Sequence, residues 1–555
     1  MLFIISLTLP IALLIGPWLL SRNLLLRADF TTTLAAAGPC LIALSTGIMA
    51  FLHCTHTPIK PASLAIAHIT TALALFLITR WRAIPFASPS HYPPAFFTSM
   101  FLLFAILVIP FTHIAGIDTY KWQDLASAVQ VEGSIPWLIH PSSLFGFTPR
   151  SYPSAQPLLL ATISTISGFG VDWSFYILSI LCGLMAIASS FALGRHLFPA
   201  STTPALWLTF LYVLSPVFLR YNYWATGRGL FMALLPVFIL ALMKARRWLG
   251  IFAILSTATL LALSHKTGLA AIIVIPLLFL LSSVIYKIPF IKNRHRAQVI
   301  LFSCLLLLTL ATGFLLADHS LTQFLLRITT RLAFLAPLSL AGILLAPQND
   351  NNPAATFTVK FTALATLPLV FTSDMYGSMI ASLFISGLAA IGISATYPLP
   401  PLGKHPLLPR TTVALTLLVA LVIIIHQTAD SPSRDVVRAA RFLEKHDPLG
   451  PYRLEAPGLT RTRMQAYLSG CPRFTATASP HATLQIQKPL PLTGNLHVDS
   501  RTLTHYLRKC LQLSDASTDW YGSGNKVYYV TIDGKGVRPP DAKHLFTSGT
   551  VTIYE

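Results

Sequence analysis

Acidic side chains are scarce in this sequence, and two of them stand in a stretch that could carry out catalysis. The chain has 19 Asp and Glu residues among 555. Asp118 and Asp124 lie in GIDTYKWQDLASAVQVEGSIPW, just after a long apolar run ends. A carboxylate near a bilayer surface can accept a proton from an attacking hydroxyl, and partial desolvation tunes its pKa for that task. We predict Asp118 and Asp124 as catalytic residues, with Asp118 as the general base.

Basic and aromatic side chains in later segments could bind the substrate of such an acid. Arg suits a phosphate through its planar donor fork and Lys as a point charge. We assign phosphate recognition to Arg228, Lys266 and Arg327 or Arg331; the alternative for each is snorkelling to lipid head groups. The predicted substrate-binding residues are Tyr120, Tyr152, Arg220, Arg228, His265, Lys266, Asp318, Arg327, Arg331 and Asp374.

Membrane-spanning helices must position these residues. The chain is 54% hydrophobic and 10% charged, and its apolar runs predict about fourteen spans over residues 1–430. The predicted spans are 2–20, 31–52, 62–79, 96–116, 173–194, 203–219, 229–243, 248–263, 269–286, 298–316, 329–346, 358–373, 379–396 and 411–427. The net charge of +20 is explained by basic loops that fix the topology, so no nucleic-acid partner is predicted.

Alternate loops carry most of the Lys and Arg residues, which the positive-inside rule assigns to the cytoplasm. These residues are Arg22, Arg27, Arg80, Arg82, Arg195, Lys244, Arg246, Arg247, Lys287, Lys292, Arg294, Arg296, Lys404 and Arg410. We therefore predict a multi-pass protein of the plasma (inner) membrane. Both termini, the loop 117–155 and residues 431–555 are then extracytoplasmic, and the site residues share that side.

Residues 431–555 have the composition of a soluble domain. SPSRDVVRAARFLEKH predicts an amphipathic helix with Val436, Ala440 and Leu443 on one face. KVYYVTIDG and TVTIYE predict strands, and TRTRMQAYL and SRTLTHYLRKCL predict helices, so the domain is predicted as α/β or α+β. Cys471 and Cys510 could pair if the domain faces an oxidising compartment.

The order of these segments resembles that of the GT-C superfamily of polyprenyl-phosphate-sugar-dependent glycosyltransferases. The resemblance is carried by the loop around Asp118, by SYPSAQPLLLATIS after it, and by PVFLRYNYWATGRGL and LSHKTGLA. It implies a polyprenyl-phosphate-linked sugar donor, an extracytoplasmic glycan, lipid or protein acceptor, and inversion at the anomeric carbon. Asp118 matches the acid that such enzymes carry in their first external loop.

The sequence departs from the usual GT-C pattern in two ways. Three extra spans precede the loop, and the adjacent acid pair is replaced by Asp118 and, six residues on, Asp124. Two other functions stay open. One is a lipid or glycan transporter, although the charge deep within spans that a coupled carrier usually needs is nearly absent. The other is a non-catalytic envelope-assembly scaffold. No cofactor motif is found, and the sequence leaves the use of a divalent cation open.

Overall fold

The computed structural model describes most of the membrane-type helices and part of the C-terminal domain. The described residues are 8–25, 29–82, 94–108, 119, 122–123, 126–127, 129–130, 133–135, 138–139, 147–148, 155–199, 201–223, 226–244, 248–317, 320–344, 352–372, 376–396, 407–428, 434–447, 452–456, 464, 526–536 and 538–555. All statements about elements and contacts concern these residues.

Long apolar helices make up the body of the fold, as predicted. In the described ranges eight helices are long and apolar enough to cross a bilayer, or up to ten if each of two bent helix pairs is one span, and four shorter apolar helices accompany them. The predicted count of about fourteen spans is therefore not confirmed.

The helices follow one another with short connections. A π-helical turn, Ile11–Ile15, leads into the first of them. In chain order they are α1 Gly16–Leu24, α2 Phe30–Cys54, α3 Pro61–Trp81, α4 Pro94–Val108, α5 Ala155–Ser167, α6 Val171–Leu197, α7 Thr203–Val213, α8 Pro216–Tyr223, α9 Gly227–Lys244, α10 Trp248–Ser264, α11 Thr267–Lys287, α12 Pro289–Asn293, α13 His295–Leu316, α14 Leu321–Arg331, α15 Leu335–Leu344, α16 Pro353–Thr366, the 3₁₀ helix Leu367–Phe371, α17 Tyr376–Thr396, α18 Leu407–Thr428 and α19 Arg434–His446.

Two of the predicted straight spans are bent. The predicted span 203–219 is divided into α7 and α8, whose axes differ by 49°. Pro216 begins α8 at its first turn, where the missing N–H costs no hydrogen bond, and the Ser215 hydroxyl accepts one from the backbone N–H of Phe218. The predicted span 329–346 is likewise divided, because α14 and α15 meet at 91°.

The helix α5 is absent from the predicted spans. All 13 of its residues are buried, so it carries no polar stripe that would mark an amphipathic helix. At about 1.5 Å per residue it is too short to cross the hydrocarbon core alone. It packs against α6 and also contacts α9 and α10, whose ends carry predicted site residues.

The two ends of the bundle are named here by two residues of α9, Lys244 and Arg228. Lys244, at the C-terminus of α9, donates a hydrogen bond to the Thr32 hydroxyl across 2.9 Å. Its Nζ also lies 4.0 Å from a carboxylate oxygen of Asp29, which caps the N-terminus of α2. We call this the Lys244 end. The 18 residues of α9 make it about 27 Å long, and Arg228 lies at the opposite end, the Arg228 end.

A lysine lies within one of the predicted spans. The side chain of Lys360 in α16 is 5% exposed. Its Nζ donates a hydrogen bond to the backbone carbonyl of Ile343 across 3.3 Å and lies 5.8 Å from the centroid of the Phe302 ring. Ile343 is in the last turn of α15, where helix carbonyls lack partners within the helix. Lys360 therefore stabilises a helix end, and it is an exception to the near absence of charge within spans that the sequence indicated.

The C-terminal domain contains α19 and a four-stranded sheet with strand order β3-β4-β6-β5. The strands that the sequence predicted are confirmed at β4 Lys526–Ile532 and β6 Val551–Tyr554; β3 is Tyr452–Glu455 and β5 is His544–Ser548. The predicted face of α19 is also confirmed, since Val436, Ala440 and Leu443 are buried in one core with the sheet. A second pair of strands, β1 Leu138–Ile139 and β2 Phe147–Thr148, lies before α5.

Several predictions for the C-terminal domain fall outside the described residues. These are Cys471, Cys510 and the predicted helix 500–511. Of the predicted helix 460–468 only Met464 is described, and it is helical and buried. The described cysteines form no disulfide; they are Cys40, Cys54, Cys182 and Cys304.

Candidate functional site

Tyr376 lies at the centre of a cationic cluster at the Arg228 end. The Nη2 of Arg228 donates a hydrogen bond to the Tyr376 hydroxyl across 3.3 Å. The Nζ of Lys266 lies 4.7 Å from the centroid of the same ring, and the Arg228 guanidinium lies 5.2 Å from it. Both distances are within the range of cation–π attraction. Two cations from different helices are thus fixed to one aromatic side chain from a third.

A second tyrosine lies against the other side of this arrangement. The Arg228 guanidinium is 5.3 Å from the centroid of the Tyr221 ring, and Tyr221 is 2% exposed. Arg220 precedes Tyr221 in α8, and Arg331 ends α14, which contacts α8. Of the predicted binding residues, Arg220 and Arg331 therefore border the cluster.

His265 is the buried polar member of the cluster. Its ring centroid lies 5.1 Å from that of Tyr376, and its side chain is 5% exposed. Nδ1 accepts a hydrogen bond from the backbone N–H of Thr267 across 3.2 Å. Burial lowers the pKa of His265 well below its ordinary value, and the charges of Arg228 and Lys266 lower it further. Since Nδ1 is an acceptor and the ring is neutral, the proton is on Nε2.

Glycines let α9 and α11 pack closely against α10. A Cβ atom at Gly227, the first residue of α9, would lie 2.2 Å from the backbone oxygen of Ser264 at the end of α10. A Cβ atom at Gly268, in α11, would lie 2.2 Å from the backbone oxygen of Leu261. Any side chain at either position would force the helices apart. The start of α9, which carries Arg228, and the start of α11, which follows Lys266, are thereby held close to α10.

Arg327 and Arg331 have backbone partners. Nη1 of Arg327 donates hydrogen bonds to the carbonyls of Leu316, across 2.8 Å, and of Phe371. Nη1 of Arg331 donates to the carbonyl of Thr372 across 2.8 Å and to that of Val370. The carbonyls of Val370, Phe371 and Thr372 lie at the end of the 3₁₀ helix, and that of Leu316 lies at the end of α13. The contacts describe a positioning role, and binding of phosphate by either arginine stays a prediction.

The remaining predicted site residues fall outside the described part of the chain. They are Asp118, Tyr120, Asp124, Tyr152, Asp318 and Asp374. Pieces of the predicted loop 117–155 are described, and they include helical residues between 119 and 130. Trp122 and Ala126 in this stretch are buried, and so are its polar residues Thr119, Gln123 and Ser127.

Hydrogen bonds attach the described pieces of this loop to the bundle. The backbone N–H of Ile59 donates to the carbonyl of Gly133 across 2.6 Å, and that of Ile135 donates to Nδ1 of His53 across 3.3 Å. The Gln130 side chain donates to the Ser164 hydroxyl of α5 across 2.7 Å. The helix α5 in turn contacts α9 and α10, which lead to Arg228 and His265.

The described residues contain no group of His, Cys, Asp and Glu that could hold a metal ion. The cluster instead offers two cations, a phenol hydroxyl and a neutral imidazole N–H, all of which can donate hydrogen bonds to an oxyanion. Tyr376 and Tyr221 are absent from the predicted site. The sequence did carry a signal for both tyrosines. Tyr376 lies two residues after Asp374 in TSDMYGS, and Tyr221 directly follows Arg220 in RYNYW.

No protein-family model matches the chain, and no curated protein matches it. Among solved structures, the crystal structure of ArnT from Cupriavidus metallidurans bound to undecaprenyl phosphate is similar over 84% of this chain and 98% of that chain. The sequences are 13% identical and the TM-score is 0.42. ArnT is a glycosyltransferase of the GT-C family, which the sequence resembles. At this identity and TM-score, neither a residue role nor a substrate is transferred to this chain.

Proposed function

We propose that this protein is a membrane glycosyltransferase, which transfers a sugar from a polyprenyl-phosphate-linked donor to an extracytoplasmic glycan, lipid or protein acceptor. The observation that carries the proposal is the convergence of Arg228 and Lys266 on Tyr376 at one end of the helical bundle. A lipid-linked phosphate is presented at this depth, where helices end and hydrocarbon gives way to head groups.

The cluster stabilises negative charge on the donor phosphate. Bond breaking leaves an additional charge on the phosphate oxygen that was bound to the sugar, and preorganised cations lower the energy of that state. Arg228 is held between two tyrosine rings, so little side-chain entropy is lost when it binds. Lys266 is exposed, and its ammonium adds a point charge beside the same ring.

Asp118 is the proposed base for the acceptor. Its carboxylate takes the proton of an acceptor hydroxyl as the oxygen attacks the anomeric carbon, and the bond from that carbon to the phosphate oxygen breaks. Attack from the face opposite the leaving phosphate inverts the anomeric configuration. The proposal draws on the attachment of the loop to α5 and on the contacts of α5 with α9 and α10.

A transfer assay on the whole chain tests this proposal. The protein is reconstituted in lipid nanodiscs and supplied with a polyprenyl-phosphate sugar and candidate acceptors, and release of polyprenyl phosphate is followed. Arg228→Gln is expected to weaken binding of polyprenyl phosphate about 10- to 100-fold, the scale of a charge-assisted hydrogen bond. Arg410→Gln serves as the control, because Arg410 is exposed in α18, outside the cluster.

Two outcomes would contradict the proposal. If wild-type protein binds no polyprenyl phosphate, the cluster does not recognise a lipid-linked phosphate. If it binds the lipid and moves it across the bilayer without releasing sugar, the protein is a transporter. The proposed enzyme is supported if the wild-type protein hydrolyses or transfers the sugar and the Arg228→Gln variant does not.

A further inference from the structure

An apolar cavity of about 510 Å³ lies among α1, α2, α4 and α6. Its volume is within the range of small-molecule sites in proteins. The wall is formed mainly by aliphatic and aromatic side chains, and Thr98 is its only hydroxyl-bearing residue. The lining residues include Leu14, Ile15, Trp18, Ala37, Gly38 and Thr98.

The cavity is remote from the cationic cluster. Its α2 wall consists of residues in the first half of that helix, including Ala37 and Gly38. That half begins at Asp29, which lies beside Lys244, and α1 is attached there too, since the Ser21 hydroxyl donates to the Thr33 carbonyl across 2.8 Å. Arg228 is at the other end of α9, about 27 Å away along the helix. The cavity therefore lies in the half of the bundle nearer the Lys244 end.

The cavity is continuous with surface that faces hydrocarbon. Leu14 and Ile15, which line it, are 53% and 47% exposed. Both residues belong to the π-helical turn, which packs against α2 and α3. These two helices are long and apolar enough to cross a bilayer, so side chains exposed beside them meet lipid chains and not water. An apolar space of this kind gains little from water, which needs polar partners, so a hydrocarbon chain is the occupant that fits.

The cavity has a specific shape on its inner side. The Met185 side chain of α6 packs directly against Gly38, where an added Cβ would lie 2.9 Å from it. The indole of Trp18 forms another part of the wall, and its ring packs on Phe30 with centroids 5.3 Å apart. These packed side chains give the cavity a defined inner wall.

We infer that this cavity binds one acyl chain of a phospholipid from the leaflet at the Lys244 end. The head group of that lipid would lie at the end of the bundle that carries the exposed residues Lys244 and Arg80, so an anionic phospholipid is favoured by charge. The inference concerns a site separate from the cationic cluster. It does not depend on the proposed glycosyl transfer.

Native mass spectrometry of the delipidated whole protein, titrated with palmitoyl-oleoyl phosphatidylglycerol, tests the inference. Wild-type protein is expected to bind one such lipid more tightly than the rest. Thr98→Trp and Ala37→Trp place an indole in the cavity from two different walls; Thr98 is exposed and Ala37 half-buried, so both tolerate enlargement. Each is expected to raise the apparent Kd of this tight site at least about tenfold, since several buried chain contacts are displaced.

Leu307→Trp is the matched control. Leu307 is 68% exposed in α13, outside the cavity, so this variant should bind the lipid as wild type does. Equal affinity in wild type and both cavity variants would overturn the inference. So would displacement of phosphatidylglycerol from the tight site by polyprenyl phosphate, because the occupant would then be a polyprenyl chain.

A second measurement keeps the test decisive if the tryptophan variants fail to fold. A benzophenone amino acid at position 98 of the whole protein, in membranes that contain phosphatidylglycerol, should form a covalent adduct with that lipid on illumination. The same group at position 307 should give a weaker and less selective yield. Absence of a phospholipid adduct at position 98 would overturn the inference.

Discussion

The Nη2 of Arg228 and the hydroxyl of Tyr376 lie 3.3 Å apart, although 148 residues separate them in the chain. This hydrogen bond joins the first turn of α9 to the first residue of α17. It fixes the guanidinium in front of the ring that also faces Lys266, so the distance between two cations depends on one phenol. The arrangement of the two cations therefore depends on Tyr376.

Tyr376→Phe removes the hydroxyl and keeps the ring. We expect roughly three- to tenfold weaker binding of polyprenyl phosphate, the net value of one hydrogen bond, and a further loss in Tyr376→Leu as the cation–π contacts disappear. Lipid titration measures the affinity. Tyr286→Phe, in α11 near the Lys244 end, should leave it unchanged; equal losses in both variants would mean that the effect is not local.

Arg331→Gln is expected to act mainly on stability. Arg331 is 6% exposed and donates to the carbonyls of Val370 and Thr372, so its loss leaves buried acceptors without this donor. We expect a decrease of about 1.5–3 kcal/mol in the free energy of unfolding, the range for hydrogen bonds to charged groups. Thermal unfolding in detergent checks this. Unchanged stability combined with lost phosphate affinity would instead support the phosphate role that the sequence predicted.

Asp118→Asn tests the proposed base. The change preserves size and removes basicity, so turnover should fall roughly 100- to 10,000-fold, while binding of the lipid donor and folding are retained. Asp124→Asn, six residues on, is the comparison that assigns the second acid. Near-normal transfer by a well-folded Asp118→Asn protein would remove the base from the proposed mechanism.

Lys360→Met is expected to destabilise the fold without affecting the cluster. The variant keeps most of the side-chain length but removes the ammonium that binds the Ile343 carbonyl at the end of α15. A loss of about 1–3 kcal/mol in unfolding free energy is expected for the unpartnered carbonyl. Lys292→Met, at an exposed site, is the control. If Lys360→Met abolishes lipid transport and leaves stability intact, the lysine serves transport instead.

His265 gives the fold a dependence on pH. Burial, together with the charges of Arg228 and Lys266, lowers its pKa in the folded state well below 6.5. The unfolded chain therefore takes up a proton first as the pH falls, so the stability from neutral His265 is complete above about pH 6.5 and is lost progressively below it. His265→Gln should flatten this part of the curve of melting temperature against pH. An identical curve in the variant would assign the dependence to other groups.

The sequence was sufficient to predict most of the long apolar helices, though not α5, because long apolar runs have few other structures available in a membrane. The sequence also predicted that Arg228 and Lys266 share one end of the bundle, because the number of spans before each residue decides the end at which it lies. The strands around Tyr528 and Ile553 were predicted from their β-branched and aromatic residues. These features depend on patterns within short segments.

Features that depend on distant partners were not predicted. The place of Tyr376 is set by Arg228 and Lys266, which are distant in the chain, and the nearby Asp374 was the only local signal of it. Lys360 did not stand out for the same reason, since its acceptor is the end of a helix in another segment. The bend between α14 and α15 escaped detection because the apolar run continues through it, and Ala333 adopts a positive φ of 46° only in the folded chain.

The contact between Asp29 and Lys244 has a consequence for the order of synthesis. Thr32 and Lys244 are 212 residues apart, so at about 5–20 residues per second roughly 10–40 s pass before the lysine emerges from the ribosome. In the folded chain the Asp29 carboxylate accepts hydrogen bonds from the hydroxyl of Thr31 and the backbone N–H of Thr32, both of which are synthesised together with it. The start of α2 is thus complete on its own at insertion, and the later helix arrives at a prepared partner.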